Sequence, residues 1–193
     1  MISSTDVKEV ILPYQGREYY EIEVAGLRRA LPLLKVSDDT WIAYFDSLGD
    51  REFLSKCAEI LAEKLQGSEI LVTSESKGIP LVHEIASILK HPRYIVARKE
   101  VKPFMVNPIV AECKPVTSKA PIKLSIDGRY VQYLNGRNVG IVDDIVSTRE
   151  TLDALERLVR LAGGRVHKKA AILLEGGVYD DVVYLGVLPI FKQ

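Results

Sequence analysis

The spacing of apolar residues along the chain changes near residue 50. Before that point, three short apolar or alternating segments are separated by Gly and Asp turn residues, which is typical of β-strands. After it, apolar residues recur at three- and four-residue intervals and line one face of a helix. The predicted strands are Tyr19–Val24, Leu31–Val36 and Trp41–Phe45. We therefore predict a β-rich region over residues 1–50 and a differently built core over residues 51–193.

Strands then alternate with helices from residue 50 to residue 174. This order predicts an α/β fold with a parallel sheet, right-handed crossovers and helices on its faces. Ligands of such sheets bind at the carboxyl ends of the strands. The predicted helices are Asp50–Leu65, Pro80–Leu89 and Thr151–Ala162. The predicted strands are Glu69–Thr73, Tyr94–Ala97, Val139–Val142, Val166–Leu174 and Val182–Val187.

Two segments outside this alternation have their own patterns. The apolar runs Ile122–Ile126 and Tyr130–Leu134 flank Asp127-Gly128, which predicts a β-hairpin. Residues 98–120 are polar, contain three prolines and have no clean period. A connection of this length inside a compact domain is usually a lid or a binding loop, and we expect that here.

Composition narrows the class of protein. The 193 residues include 26 Lys and Arg and 26 Asp and Glu, so a net charge of zero argues against nucleic-acid or membrane partners. Cys57 and Cys113 lie far apart and form no metal or disulfide pattern, which suits a reducing compartment. We find neither a signal peptide nor an apolar run long enough to cross a bilayer. We expect a cytoplasmic enzyme.

The segment from Val139 to Thr151 carries the clearest chemistry. A buried strand ends in Asp143 and Asp144, a turn with two hydroxyl residues follows, and then a helix begins. Two adjacent carboxylates can accept hydrogen bonds from a ribose diol, and a helix N-terminus favours a phosphate. A purely structural interpretation is open too. Ser147 and Glu150 have the spacing of a capping box, and paired acids at a strand end can simply be solvated.

This segment resembles the phosphoribosyl-pyrophosphate motif of the type I phosphoribosyltransferases, and of adenine phosphoribosyltransferase-like members in particular. The resemblance implies that Asp143 and Asp144 hold the ribose hydroxyls, while a loop wraps the 5-phosphate. The loop consists of Ser147, Thr148, Arg149, Glu150 and Thr151. Arg149 replaces the family's usual glycine, and it either supplies a charged phosphate donor or marks a loop that binds phosphate weakly.

Two further segments resemble the same family, in the same order. Glu75–Gly78 is similar to its pyrophosphate loop, which implies that Ser76, Lys77 and Gly78 bind pyrophosphate and that the Ser76–Lys77 peptide is cis. Ala97–Phe104 is similar to the start of its mobile loop. There, Arg98, Lys99 and Lys102 are expected to reach the pyrophosphate. Taken alone, Glu75–Gly78 is better explained as a turn with an exposed Lys, and the alternative for Ala97–Phe104 is a solvated basic run.

The resemblance implies transfer of a ribosyl 5-phosphate to a purine base, with Mg²⁺ bridging pyrophosphate and ribose oxygens. Ser147 stands where relatives acting on 6-oxopurines carry an Asp, which favours adenine. Adenine enzymes carry a loop Glu as general acid, but Pro115–Pro121 contains none, and Glu100 and Glu112 lie at unmatched positions. The catalytic acid is therefore unassigned. The alternatives are a non-catalytic regulator that binds the same donor, and a 6-oxopurine enzyme.

The resemblance also implies how the rest of the chain is used. Residues 1–50 are expected to form a β-rich hood that recognises the base. The segment Leu188–Phe191 is expected to help enclose that base. By the same resemblance we expect a homodimer whose partners are phosphoribosyl pyrophosphate and a purine.

Overall fold

A computed structural model describes residues 8–113 and 121–193 of the chain. Its helices are α1 (Arg51–Lys64), α2 (Gly78–Ile88), α3 (Val131–Leu134) and α4 (Glu150–Leu161), and a 3₁₀ turn covers Gly128–Tyr130. The strands of the first half are β1 (Lys8–Glu9), β2 (Ile11–Pro13), β3 (Tyr19–Val24), β4 (Leu27–Ser37), β5 (Thr40–Ala43), β6 (Ile70–Ser74) and β7 (Tyr94–Ala97). The remaining strands are β8 (Ile109–Cys113), β9 (Ile122–Ile126), β10 (Asn138–Val146), β11 (Arg165–Glu175), β12 (Gly177–Val178), β13 (Gly186–Leu188) and β14 (Ile190–Lys192).

The central sheet has five strands in the order β13-β11-β10-β6-β7, all parallel to their neighbours. Side chains of successive residues point to opposite faces, so each strand contributes to two apolar clusters. Ala170 and Ile172 pack with α1 and α2 on one face. Ala171 and Leu174 pack with α4 and the β8–β9 hairpin on the other. The α/β fold with a helix-flanked parallel sheet is confirmed.

A second five-stranded sheet covers the face that carries α1 and α2. Its order is β2-β14-β5-β4-β3, so residues 190–192 lie between strands from the first fifty residues. β14 runs parallel to β2 and antiparallel to β5. Trp41 and Phe191 belong to the cluster shared with α1, and Tyr14 stacks on Trp41 with ring centroids 3.9 Å apart. The boundary at residue 50 remains a prediction, since this sheet uses strands from both sides of it.

The predicted hairpin around Asp127-Gly128 is wrong. Tyr130–Leu134 is helical rather than a strand, because the Asp127 carboxylate accepts a 2.9 Å hydrogen bond from the Arg129 amide and begins a turn. The Asp-Gly pair therefore acts as a helix start. The actual partner of β9 is β8, which runs antiparallel to it.

β8 also corrects the expectation for residues 98–120. Residues 109–113 of that segment form a strand that packs with α4, so the segment is not a continuous loop. Residues 114–120, which include most of Pro115–Pro121, lie outside the described residues. Val182–Val187 is likewise a strand only at its end, in β13, while Val183 makes a single bridge to Ala170.

Within the described ranges, no helix is both long and apolar enough to cross a membrane.

Candidate functional site

The carboxyl ends of three neighbouring strands bring the predicted site segments together. Residues 75–78 follow β6, residues 98–102 follow β7, and residues 143–151 cover the end of β10 and the start of α4. β6 lies between β7 and β10 in the sheet. The three segments are therefore neighbours although they are spread over residues 75–151 of the chain. This is the edge at which ligands bind to open parallel sheets.

Asp143 and Asp144 are buried at this edge, with only 8% and 4% of their surfaces exposed. The Asp144 amide donates a 3.0 Å hydrogen bond to Asp143 Oδ1. The Ser47 hydroxyl donates a 3.1 Å hydrogen bond to Asp144 Oδ2. A carboxylate has about four acceptor positions, so both acids keep capacity to accept hydrogen bonds from a ligand.

Burial disfavours the charged forms of both acids. It raises the pKa of Asp143, and the adjacent charge of Asp144 raises it further. Burial also raises the pKa of Asp144, although the Ser47 hydrogen bond and the charge of Lys77 oppose that shift. Buried carboxylates are stabilised when donors reach them, so the pair is well suited to bind two adjacent hydroxyl groups.

Lys77 lies at the N-terminus of α2 and reaches toward the end of the second sheet. Its Nζ donates a 3.2 Å hydrogen bond to the Phe45 carbonyl and lies 3.5 Å from Asp46 Oδ1. It also lies 5.0 Å from the centroid of the Tyr44 ring. Its charge favours ionised Asp144, so the lysine and the acid pair share one electrostatic environment.

The loop around Lys77 has two unusual backbone features. Its cis peptide bond joins Glu75 to Ser76, one residue before the Ser76–Lys77 bond where the resemblance placed it, so that expectation is wrong. Gly78 has no room for a side chain. A methyl group there would lie 2.2 Å from Thr73 Oγ1 and 3.3 Å from Asp143 Oδ1. The glycine therefore lets the loop pass close to the acid pair.

Carboxylates already bind two of the three cations in the basic segment. Arg98 donates a 3.1 Å hydrogen bond to Glu75, and Lys102 pairs with Glu100. Against the larger effect of burial, the charge of Lys99 lowers the pKa of Asp143. Lys77 and Lys99 are thus cations whose charges act on the acid pair, while Arg98 and Lys102 are turned to their carboxylate partners.

The β8–β9 hairpin holds the backbone of this basic segment. The Arg98 amide donates a 2.8 Å hydrogen bond to the Ser125 carbonyl, and the Ser125 amide donates one of the same length to the Arg98 carbonyl. The Ser125 hydroxyl also donates a 2.8 Å bond to the Glu100 carbonyl. The Glu75 carboxylate accepts a 2.6 Å bond from the Lys99 amide, which joins the basic segment to the loop after β6.

The turn between β10 and α4 lines a small open cavity of about 50 Å³, bounded by Asp143 and residues 145–152. Ser147 and Thr148 are exposed, and Glu150 and Thr151 form the first turn of α4. Arg149 is the N-cap residue, and within the described chain no side chain caps this helix. The capping-box interpretation of Ser147 and Glu150 is therefore wrong, and the first amides of α4 are left for a ligand.

Arg149 has a left-handed backbone conformation, with φ of 64°, and its guanidinium binds Asp181 through two nitrogens. It therefore adopts the conformation that glycine provides in the family's loop, and its charge is already paired. No local sequence pattern indicates Asp181 or Ser47 as site residues, because both contacts join segments remote in the chain.

The described residues contain no cluster of three or more His, Cys, Asp or Glu side chains able to hold a metal ion.

Comparison with known proteins gives a consistent result. The adenine phosphoribosyltransferase of Mycolicibacterium paratuberculosis is 30% identical over 131 residues, which are 67% of this chain and 69% of that protein. The adenine phosphoribosyltransferase of Mycobacterium avium is 29% identical over 133 residues, covering 68% and 70% of the two chains. No family model matches the sequence.

Solved structures share the fold. An adenine phosphoribosyltransferase from Thermoanaerobacter pseudethanolicus superposes with a TM-score of 0.62 at 21% identity, covering 88% of this chain and 95% of the other. The enzyme of Leishmania tarentolae also gives 0.62, at 18% identity and 94% coverage of both chains.

The fold, with its buried acid pair beside a helix N-terminus, defines a protein of the type I phosphoribosyltransferase class. Within that class, the sequence similarity shows that the chain belongs to the adenine phosphoribosyltransferase family.

Proposed function

We propose that this protein transfers ribose 5-phosphate from 5-phosphoribosyl-1-pyrophosphate to a purine base, with adenine as the favoured acceptor. The observation that carries the proposal is the buried pair Asp143 and Asp144, placed between the loop that contains Lys77 and Gly78 and the uncapped N-terminus of α4. Such a site has acceptors for a sugar diol in the middle and donors for phosphate groups on both sides.

Each part of the donor has a matching group in this arrangement. The ribose 2′ and 3′ hydroxyls bind Asp143 and Asp144, whose burial strengthens hydrogen bonds to them. The 5-phosphate binds the turn from Ser147 to Thr151, in the cavity that this turn lines. The α4 dipole and its free amides favour that anion. Ser76, Lys77 and Gly78 bind the pyrophosphate.

The basic segment completes the pyrophosphate site. The charge of Lys99 already favours ionised Asp143, and Arg98 and Lys102 are paired with carboxylates. In our proposal both exchange those partners for pyrophosphate oxygens when the donor binds. Cations at the leaving group stabilise the negative charge that develops on it as the glycosidic bond breaks.

The residues of the site also suit the chemistry of the sugar. As pyrophosphate departs, positive charge develops on the ribose ring, and the two carboxylates below it favour that charge. Positioning of the two reactants supplies much of the remaining rate enhancement. A bound Mg²⁺ would supply neutralisation of the pyrophosphate charge. Because Asp143 and Asp144 are assigned to the ribose hydroxyls, its ligands would come mainly from substrate and water.

Adenine is favoured on two grounds. The relatives that match over two thirds of the chain are named adenine phosphoribosyltransferases. Ser147, the residue that stands in place of the Asp of 6-oxopurine relatives, offers a hydroxyl and no carboxylate near the base. The cytoplasmic location and the homodimer remain predictions from the sequence.

The test is to incubate the protein with phosphoribosyl pyrophosphate, Mg²⁺ and single bases, and to measure nucleotide and released pyrophosphate. The bases are adenine, hypoxanthine, guanine, xanthine and uracil. We expect product with adenine, and none from the double variant Asp143→Asn/Asp144→Asn. Turnover with a 6-oxopurine alone would refute adenine as the favoured acceptor. Tight donor binding without product from any base would refute the enzyme and leave a donor-binding regulator.

A further inference from the structure

We propose that Arg149 is a positioning residue: it clamps the 5-phosphate loop to the segment after β12 through Asp181 and Tyr179, and does not itself contact the phosphate. This inference rests on the proposed function, because it concerns the loop assigned to the 5-phosphate.

The backbone of Arg149 has an unfavourable conformation for a residue with a side chain. Its φ of 64° lies in the left-handed region, which costs a residue with a side chain roughly 1–2 kcal/mol compared with glycine. A residue keeps such a conformation when surrounding contacts hold it there. We therefore infer that contacts of the Arg149 side chain hold the loop in this conformation.

The shortest of those contacts lead to residues 179–181, and a longer one reaches Asp153 in the first turn of α4. Both terminal nitrogens of Arg149 bind the Asp181 carboxylate, one of them at 2.9 Å, and Asp153 lies 3.5 Å away. The guanidinium carbon lies 5.0 Å from the centroid of the Tyr179 ring. Only 15% of the arginine side chain is exposed, so solvent screens these contacts weakly.

Tyr179 makes the clamp act on the loop itself. Its hydroxyl donates a 2.5 Å hydrogen bond to the carbonyl of Ser147, the first residue of the loop. The loop is thus held at Ser147 by a hydrogen bond and at Arg149 by an ion pair. Thr148, between them, is exposed.

Asp181 is anchored in turn. Lys169 of β11 pairs with Asp181 and donates a 2.8 Å hydrogen bond to Glu156 of α4. The lysine side chain is only 11% exposed. Two cations hold the pKa of Asp181 well below its usual range, so it stays charged throughout the working pH range. The central sheet, α4 and the loop are therefore joined by one network.

The two possible roles of Arg149 predict opposite effects of freeing its guanidinium. If Arg149 were a phosphate ligand, Asp181 would compete with the phosphate, and Asp181→Asn would strengthen phosphate binding. If Arg149 is a clamp, the same change loosens the loop and weakens binding. The sign of the effect decides between them.

The experiment is a calorimetric titration of the full protein with ribose 5-phosphate, and separately with Mg²⁺-pyrophosphate. For Asp181→Asn we expect roughly tenfold weaker ribose 5-phosphate binding, the loss of about one charge-assisted hydrogen bond. Pyrophosphate binding should stay unchanged. Asp180→Asn is the matched control, because Asp180 is the exposed neighbouring residue. Arg149→Gly should weaken ribose 5-phosphate binding similarly, although glycine tolerates the backbone conformation.

The double variant Arg149→Gly/Asp181→Asn isolates the coupling between the two residues. We expect it to bind no more weakly than either single variant, because both remove the same clamp. Independent, multiplying effects would overturn the proposal, as would stronger binding by Asp181→Asn.

If Asp181→Asn also loses pyrophosphate binding, the fold is damaged, and Tyr179→Phe is the deciding variant. We expect Tyr179→Phe to weaken ribose 5-phosphate binding and to leave pyrophosphate binding unchanged. Unchanged ribose 5-phosphate binding by Tyr179→Phe would overturn the clamp. A wild-type protein that binds pyrophosphate but no ribose 5-phosphate would overturn the proposed function and the clamp together.

Discussion

The Ser47 hydroxyl donates a 3.1 Å hydrogen bond to Asp144 Oδ2, although the two residues are 97 positions apart. Ser47 is completely buried and follows the last strand of the first β-rich region. Two positions earlier, the Phe45 carbonyl accepts the hydrogen bond of Lys77. The segment after β5 is thus bound both to the acid pair and to the loop after β6, which fixes one wall of the candidate site.

Replacing Ser47 with Ala should weaken binding of phosphoribosyl pyrophosphate several-fold. The hydroxyl stabilises charged Asp144, and its loss leaves a buried carboxylate with one donor fewer. A fluorescence or calorimetric titration measures the change. Ser87→Ala, at an exposed position of α2, is the control and should bind like the wild type. Equal affinity of Ser47→Ala and wild type would contradict the role of this hydrogen bond.

Asp143→Asn should raise the free energy of unfolding of the ligand-free protein at pH 8 by ~1 kcal/mol or more, since it removes a buried charge. The amide oxygen can still accept the hydrogen bond from the Asp144 amide. Donor binding should fall sharply in the same variant. Chemical denaturation measures the first effect, and Asp38→Asn at an exposed turn is the control. A destabilised Asp143→Asn protein would argue against an unfavourable charge at this site.

The same pair of proteins gives a pH prediction. The folded-state pKa of Asp143 is raised above its unfolded value, so its charged form costs stability at pH values above that raised pKa. As the pH falls through the raised pKa, Asp143 gains a proton and the cost disappears. The stability advantage of Asp143→Asn should therefore shrink between pH 8 and pH 5. Denaturant midpoints measured across this range check it, and an advantage that grows on acidification would refute it.

Lys77→Ala should weaken Mg²⁺-pyrophosphate binding at least tenfold and leave ribose 5-phosphate binding nearly unchanged. The proposal gives Lys77 to the pyrophosphate end of the donor, and one charge-assisted hydrogen bond is worth roughly 1.5–3 kcal/mol. Separate titrations with the two ligands distinguish the ends of the site. Lys56→Ala on α1 is the control, because that lysine lies at the surface and pairs with neighbouring Glu59. Equal losses for both ligands would mean a general disturbance of the fold.

Gly78→Ala should destabilise the protein and impair donor binding together. Its methyl group would lie 2.2 Å from Thr73 Oγ1, a contact that forces either the loop or β6 to move. The double variant Thr73→Ala/Gly78→Ala removes that oxygen and should recover part of the lost stability. Thermal unfolding of the four proteins in this cycle measures the recovery. If the double variant recovers no stability, atoms other than Thr73 Oγ1 cause the crowding at Gly78.

The sequence predicted the parts of the fold that depend on local pattern. The central parallel sheet followed from strands and helices that alternate with clear periods, and α1, α2 and α4 lie close to their predicted ranges. It failed at Tyr130–Leu134, where the Asp127 carboxylate starts a helix instead of a hairpin turn. An Asp-Gly pair suits both structures, and only the pairing of β8 with β9 distinguishes them.

The candidate site also has some features that the sequence predicts and others that it does not. The adjacent acids and the helix start after them are local features, so the sequence could indicate them. The partners of Ser47, Arg149 and Lys77 join remote segments, and no local pattern reveals such contacts. The sequence left open whether Arg149 donates to phosphate. The position of Asp181 bears directly on that question.

The placement of β14 between β2 and β5 has a consequence for the newly made chain. While the ribosome is still synthesising the central sheet, β5 and β2 lack the strand that joins them. At ordinary rates of translation, they wait on the order of ten seconds for residues 190–192 to be made. Until then, the unpaired edges of β2 and β5 and the exposed side chains of Ile11 and Leu12 favour association with other chains. Chaperone dependence of this protein should therefore be greatest before residues 190–192 have been made.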